Sequence, residues 1–273
     1  MRDMDARDTK PWAFVIELND VSKRFRRLKH GGLVRREYEE IHALSHVNLR
    51  VRPGEFVAYA GPNGAGKSTT FKLLCGMLAP NEGTSRLFGL DPIKNRIPVM
   101  RRTGVLFGNR SELWWDQPLR ASFDWKRVVW DIERRDYDER LERLSHEFRL
   151  ESFMDAFARE LSLGQRMRAN LALTLLHGPE LLLLDEPTLG LDVLAKRDLI
   201  ESLRRINREE SVTLVVTSHD MDDLRAMAQR LVLLHEGVVR YDGDFDGLMS
   251  AGNGDFEAII ARMYEDWQPE PEA

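Results

Sequence analysis

The sequence predicts an α/β fold with a mostly parallel sheet, an antiparallel β region near the N-terminus and an inserted helical subdomain. Two short apolar runs, 181–184 and 213–217, each end in polar residues, which is typical of strands buried on both faces. A segment with helical periodicity, 195–207, separates the two runs. Because strands alternating with helices favour a parallel sheet, functional side chains are expected at the carboxyl ends of the strands.

Composition limits the class of protein. The 273 residues, 42% of them hydrophobic, suffice for one large domain or two small ones. The net charge of −5 argues against general nucleic-acid binding, and the single cysteine, Cys75, excludes an intramolecular disulfide and is expected to be packed. No apolar run approaches the roughly 18–20 residues that span a bilayer, and the charged start is unlike a signal peptide. The chain is therefore expected to be cytoplasmic.

The N-terminal part predicts strands at 14–18, 43–51 and 56–60, with a turn signal at 19–20. Between positions 23 and 36 there are seven Lys or Arg residues and no acidic residue. A solvated hairpin loop is the favoured interpretation of this basic segment. Contact with anionic lipid headgroups or with an acidic partner surface is the alternative.

The middle and end of the chain predict further elements. A turn at 80–83, a strand at 104–107 and a hairpin over 231–241 continue the α/β pattern. A helical subdomain is predicted over about 109–170, and in it Trp114 and Trp115 lie in a loop-like run that suits a docking surface. The predicted nucleotide-binding domain spans 12–250, and 251–273 forms a C-terminal extension whose Pro/Glu-rich end is expected to be disordered.

The segment 61–69 satisfies the pattern G-x-x-x-x-G-K-[ST] between a predicted strand and the start of a predicted helix. Glycines allow backbone N–H groups to turn around an anion, Lys67 reaches the β- and γ-phosphates, and the Ser68 hydroxyl is a ligand for Mg²⁺. A chance Gly-rich turn is the weaker interpretation. This segment predicts binding of a nucleoside triphosphate.

Three other sites extend this prediction. Asp185 and Glu186 end the leucine-rich strand, where one carboxylate can hold Mg²⁺ and the other can polarise an attacking water. His219 follows the strand at 213–217, where its imidazole can hydrogen-bond a γ-phosphate. Ser162 is a natural N-cap, and a helix N-terminus attracts phosphate. Structural capping is the plainer alternative for the carboxylates and for Ser162.

Together these motifs resemble the ATP-binding subunits of ATP-binding cassette (ABC) transporters, over nearly all of 14–249. The resemblance implies a P-loop NTPase core of the ABC type that binds ATP and Mg²⁺. It also implies a second copy or a paralogue across the bound ATP, an integral-membrane permease as partner, and a position on the inner face of the membrane. Nucleic acid is not an expected partner.

The resemblance implies roles for individual residues. Lys67, Glu186 and His219 are the expected catalytic residues, and Ser68, Asp185 and Asn109 the expected metal ligands. The expected nucleotide-binding residues are Phe25, Gly61, Pro62, Asn63, Gly64, Ala65, Gly66, Lys67, Ser68, Thr69, Asn109, Ser162, Leu163, Gly164, Gln165 and Asp192. Leu163 stands where most of the superfamily has glycine, and Asn109 stands where it has the longer glutamine.

The segment 101–118 resembles a branch of ABC-2-type exporter ATPases related to sodium and drug extrusion, which implies export. Two other functions are weighed against a transporter motor. A soluble ABC ATPase that acts on ribosomes, DNA or iron–sulfur assembly is weaker, because the chain has one cassette and no coiled coil or zinc site. A non-hydrolysing binding module is disfavoured by the intact Lys67, Asp185, Glu186 and His219.

Overall fold

A computed structural model describes residues 12–31, 36–108 and 111–250 of the chain. The strands are β1 (Ile16–Gly31), β2 (Arg36–Val51), β3 (Phe56–Ala60), β4 (Glu82–Leu87), β5 (Thr103–Phe107), β6 (Leu181–Asp185), β7 (Thr213–Thr217), β8 (Arg230–His235) and β9 (Val238–Asp244). The α-helices are α1 (Lys67–Leu74), α2 (Arg96–Met100), α3 (Leu119–Val129), α4 (Arg134–Glu147), α5 (Leu163–Leu175), α6 (Val193–Glu210), α7 (Met221–Met227) and α8 (Phe245–Ser250), with short 3₁₀ turns at Glu151–Phe153 and Ala158–Glu160.

The central sheet has six strands in the order β5-β6-β7-β3-β8-β9, and only β9 pairs antiparallel. Its strands are buried on both faces, so alternate residues of one strand belong to different cores. Phe56 and Ala58 pack in a core with α5, α6, α7 and α8, whereas Val57 and Tyr59 pack in a core with α1 and the N-terminal strands. This arrangement confirms the predicted mostly parallel sheet and explains its continuous apolar runs.

A second sheet, of order β2-β1-β4, is antiparallel and covers one face of the first. In this sheet, several elements end at other residues than predicted. β1 continues through the turn predicted at 19–20, where Asp20 has a φ of 52° and the pairing register shifts. The segment predicted as a basic loop lies in the paired strands β1 and β2, and only its residues 32–35 fall outside the described residues.

The predicted turn at 80–83 is shorter than expected, because β4 begins at Glu82 and adds a third strand to the antiparallel sheet. Helices α3, α4 and α5 lie between β5 and β6, in the region where the sequence predicts a helical subdomain. Within the described ranges, no helix has both the length and the hydrophobicity that crossing a membrane requires. The predicted C-terminal extension, 251–273, lies outside the described residues.

Candidate functional site

A cleft of about 320 Å³ lies at the carboxyl ends of β3, β6 and β7. The neighbouring strands β6 and β7 pair in register, with Asp185 opposite Thr217, so the residues that follow them reach the same edge of the sheet. The lining consists of Ile41, His42, Ala43, Asn63, Gly64, Ala65, Gly66, Lys67, Ser68, Thr69, Asp185, Glu186 and His219. Three separate stretches of the predicted nucleotide site, 63–69, 185–186 and 219, thus converge on one cleft.

The glycine loop 61–66 owes its shape to two close approaches of the backbone. A Cβ on Gly61 would lie 2.1 Å from the carbonyl oxygen of Leu234, and one on Gly66 would lie 2.5 Å from that of Ala43. Gly66 is also the N-cap of α1, and no side chain caps this helix end. The first backbone N–H groups of α1 therefore remain available to an anion in the cleft.

Lys67 is the first residue of α1 and is only 7% exposed. Its ammonium donates hydrogen bonds to the carbonyl oxygens of Gly61 at 2.5 Å and Pro62 at 3.1 Å. Burial lowers the pKa of Lys67, and the nearby carboxylates of Glu186 and Asp185 oppose that shift. The loop thus holds a partly desolvated cation, whose attraction to phosphate is stronger than it would be in water.

Asp185 is held between two hydroxyl groups. Ser68 Oγ donates to its Oδ2 at 3.2 Å, and Thr217 Oγ1 donates to its Oδ1 at 2.7 Å. Ser68 and Asp185 offer the hard oxygen ligands that Mg²⁺ prefers, and Mg²⁺ usually takes only one or two protein ligands and completes its shell with water and phosphate. The described residues contain no cluster of three or more His, Cys, Asp or Glu that could hold a metal ion.

Glu186 lies beside His219, with Oε1 2.9 Å from the imidazole Nε2. Burial raises the pKa of Glu186 above its ordinary value, while His219 and Lys67 oppose the shift. The residue has a φ of 57°, a left-handed conformation that is costly for a side chain with a Cβ. It is held there because its N–H donates to both the carbonyl oxygen (3.2 Å) and the hydroxyl (3.0 Å) of Thr217.

Thr217 is the functional residue that sequence reasoning missed. It is fully buried at the end of β7, and its hydroxyl bonds both Asp185 and the backbone of Glu186. The sequence offered one signal: Thr217 is a polar residue at the end of an apolar strand, directly before Ser218 and His219. Ile41, His42 and Ala43 were also missed as lining residues, because they reach the cleft through the pairing of β2 with β1.

Ser162, Leu163, Gly164 and Gln165 form a second group at the start of α5. The predicted N-cap is confirmed: Ser162 Oγ accepts from the Gln165 N–H at 3.2 Å, and Gln165 Oε1 accepts from the Ser162 N–H at 2.8 Å. Leu163 is 43% exposed, and its Cδ2 lies 2.9 Å from where a Cβ on Gly190 would be. None of these four residues is among the described residues that line the cleft of the same chain.

The remaining expected site residues lie at the margin. Asp192 is the N-cap of α6 and accepts from the N–H groups of Leu194 and Ala195. Phe25 lies on β1, is 37% exposed, and pairs with Ile41, which lines the cleft, although Phe25 itself is not part of the lining. Asn109 lies outside the described residues.

Trp114 and Trp115 lie in the loop between β5 and α3, as predicted, and are 41% and 53% exposed. The ring of Trp114 packs on that of Trp125, with 5.3 Å between centroids. The guanidinium of Arg166 lies 4.7 Å from the Trp115 ring centroid. The three tryptophans thus give the helical subdomain an exposed aromatic patch.

Comparisons with known proteins agree on one family. A family model described as ABC transporter matches residues 44–189. ABC transporter ATP-binding protein NatA of Bacillus subtilis (strain 168) is 30% identical over 234 residues, 86% of this chain and 91% of that protein. The probable multidrug ABC transporter ATP-binding protein YbhF of Escherichia coli (strain K12) is 30% identical over 266 residues, which span 95% of this chain but 43% of that protein.

Solved structures give the same result. The structure of an ATP-binding subunit of an ABC transporter superposes with a TM-score of 0.76 at 25% identity, over 91% of this chain and 99% of that one. A dimeric ATP-binding cassette in a post-hydrolysis state, bound to ADP and Pi, gives 0.71 at 25% identity, over 84% and 98%. With its phosphate loop, its paired carboxylates and its capped α5, the chain belongs to the ABC transporter family, as an ATP-binding subunit.

Proposed function

We propose that this chain is the ATP-hydrolysing motor of an ABC exporter, with Lys67, Glu186 and His219 as its catalytic residues. The observation that carries the proposal is the approach of Glu186 to His219, 2.9 Å apart, beside the phosphate loop and the Asp185–Ser68 pair. The likeness to a cassette bound to ADP and Pi supports hydrolysis as the reaction. Export is supported by the similarity to YbhF, a probable multidrug ABC transporter ATP-binding protein.

In the proposed reaction, Glu186 acts as general base. Its carboxylate takes a proton from water as the water oxygen bonds to the γ-phosphorus of ATP. The bond between the γ-phosphorus and its bridging oxygen breaks, and ADP and inorganic phosphate leave. His219 orients the Glu186 carboxylate through their contact, and Lys67 with the N–H groups of α1 offsets the charge on the phosphates.

Ser68 and Asp185 would hold Mg²⁺, since their oxygens face each other across the cleft floor at 3.2 Å. The bound ion would supply charge neutralisation at the phosphates. Thr217 keeps the Asp185 carboxylate in place by donating to its other oxygen at 2.7 Å. Asn109 stays a proposed ligand that lies outside the described residues.

A second copy of the chain, or a paralogue, would complete the site by bringing its Ser162–Gly164 segment to the bound ATP. Support comes from the position of this segment outside the chain's own cleft. Two exposed apolar side chains in or beside it, Leu163 and Leu189, are 43% and 49% exposed and suit burial in a dimer. The dimeric form of a structural relative supports the same arrangement.

The exposed aromatic patch formed by Trp114, Trp115 and Trp125 would dock the membrane permease. We expect Trp115→Ala to leave nucleotide binding unchanged and to lower the yield of co-purified permease roughly tenfold, as for a buried aromatic anchor. The matched control is Tyr38→Ala, which removes an aromatic of similar exposure (56%) from β2. Equal permease yields from the two variants would reject this docking surface.

The transport role is tested by purifying the tagged Glu186→Gln variant from its native cells in mild detergent with ATP. A multi-span membrane protein at about one-to-one stoichiometry is the expected co-purifying chain. Recovery of ribosomal proteins, nucleic acid or a soluble scaffold without a membrane protein would contradict transport. That outcome would favour a soluble ABC ATPase while leaving the proposed ATP hydrolysis intact.

A further inference from the structure

A groove of about 600 Å³ runs along the outer face of α6. It is lined by one stripe of α6 side chains between positions 193 and 208 and by Ala226 of α7. The lining positions recur every three or four residues, so they lie on a single face of the helix. Val193, Ile200 and Ala226 make part of this face apolar, and Val193 is 82% exposed.

The groove carries an excess of positive charge. Its lining includes Arg197, Arg204 and Arg208, all exposed, and one acidic residue, Glu201. Within the described part of the chain, none of these three guanidinium groups forms an ion pair with a carboxylate. The fourth cation, Lys196, is already held by Asp220 at 2.8 Å and Asp223 at 2.9 Å. An apolar face bordered by unpaired guanidinium groups suits an amphipathic and acidic ligand.

The chain itself contains a segment with those properties, at 255–267. Its apolar residues recur at the spacing i, i+3, i+4, i+7, i+8, i+11, namely Phe256, Ile259, Ile260, Met263, Tyr264 and Trp267. This spacing is typical of an amphipathic helix. The segment also has four acidic residues and one basic residue, and Pro269 follows it closely as a helix stop.

Helix α8, the last described element before this segment, packs on the side of the central sheet that carries the groove. Phe245 and Leu248 of α8 are buried in the same core as Leu224 and Met227 of α7, which borders the groove. The lengths also agree. At about 1.5 Å per helical residue, the α6 stripe spans roughly 22 Å and the apolar stripe at 256–267 roughly 17 Å.

We propose that residues 255–267 dock in cis, as an amphipathic helix, along the groove of α6. Its apolar stripe would cover Val193, Ile200 and Ala226, and Glu257 and Asp266, which flank that stripe on either side, would face the unpaired arginines. The docked segment would reach the first turn of α6, directly after Asp192. This proposal stands independently of the proposed transport function.

Hydrogen exchange on the full-length chain tests the docking. In the wild type, we expect amides in 256–267 to exchange roughly tenfold more slowly than in the double variant Arg204→Glu/Arg208→Glu. The matched control, Arg134→Glu/Arg135→Glu, reverses two exposed arginines on α4 and should match the wild type. Thermal unfolding of each variant checks that the fold is kept. Absence of protection in the wild type, or equal protection in the groove variant, would overturn the proposal.

A charge exchange distinguishes direct pairing from a general loss of structure. Adding Glu257→Arg/Asp266→Arg to the groove variant should restore protection of 256–267, because the attraction is then re-formed with opposite signs. Protection in the wild type should also persist on dilution to monomeric concentrations. Protection that disappears on dilution would assign the groove to the segment of a second copy, and the cis arrangement would be wrong.

Discussion

The cleft around the phosphate loop and the start of α5 differ in how they are held together. In the cleft, Asp185 bonds Ser68, 117 residues away, and Thr217, 32 residues away. At the start of α5, Ser162 exchanges two hydrogen bonds with Gln165, three residues away. The first region is assembled by the sheet, whereas the second is built by local sequence and presented to solvent.

The difference has a functional meaning. The cleft collects a cation, two carboxylates and an imidazole in one chain, so it can bind and polarise a nucleotide there. The α5 start has its hydrogen bonds satisfied locally, and its neighbouring apolar residue, Leu163, is exposed. An exposed apolar surface of this kind is suited to contact with another chain. Four substitutions test this difference between the two regions.

The largest effect is expected for Glu186→Gln. Removing the general base should lower ATP turnover about 10²- to 10⁴-fold while ATP binding is kept, as measured by phosphate release and by a fluorescent ATP analogue. The control is Glu236→Gln, since Glu236 also has a positive φ (47°) but lies outside the cleft. Turnover within threefold of the wild type, or an equal loss in the control, would remove Glu186 as the base.

Ser162→Ala should distinguish the role of the α5 start from that of the cleft. ATP binding by the isolated chain should be unchanged, whereas turnover should fall about tenfold, because a hydrogen bond to nucleotide across the dimer is lost. Loss of the N-cap should cost about 1 kcal/mol of unfolding free energy, measured in urea. Ser162→Thr keeps the hydroxyl and should restore both properties. Weakened ATP binding by monomeric Ser162→Ala would place the residue in its own cleft instead.

Thr217→Val should destabilise the cleft by removing the Thr217 hydroxyl. The variant keeps the side-chain shape but removes the donor to Asp185 and the acceptor for the Glu186 N–H. Losing the hydrogen bond to the half-buried Asp185 carboxylate, and one of the two bonds that the Glu186 N–H donates, should cost about 1–3 kcal/mol of unfolding free energy, measured by urea denaturation. Thr217→Ser, which retains the hydroxyl, should lose less. Equal stability of the Val variant and the wild type would show that water replaces both bonds.

The smallest effect is expected for His219→Ala, read from the Glu186 carboxyl carbon by NMR titration. Burial raises the pKa of Glu186, and His219 opposes this shift. Removing the imidazole should therefore raise the pKa of Glu186 further. The carboxylate would then form only at higher pH, so turnover should begin to fall at a higher pH than in the wild type when the solution is acidified. His46→Ala, at an exposed histidine paired with Asp20, should leave the titration unchanged. A lowered pKa in His219→Ala would contradict the proposed contact.

Sequence reasoning worked best where one segment carries the whole signal. The strands at 56–60 and 213–217 were predicted to the residue, because each is a continuous apolar run between polar ends. It worked least well for β1 and β2. The basic run at 23–36 looked unpaired along the chain, whereas Arg26 and Arg27 lie opposite Glu40 and Glu39 across the strands. Charge balance of this kind depends on pairing register, which residue order alone does not reveal.

The cap of α5 could be predicted from residue order, because the Ser162–Gln165 box joins residues three positions apart. The phosphate-loop motif could be recognised in the same way, from its glycines before Lys67. The bonds by which Thr217 joins Asp185 to Glu186, and the unpaired arginines on one face of α6, became visible only in the folded chain. These relations join residues far apart in the chain. Their geometry follows from strand order and helix packing, so it exists only once the sheet has formed.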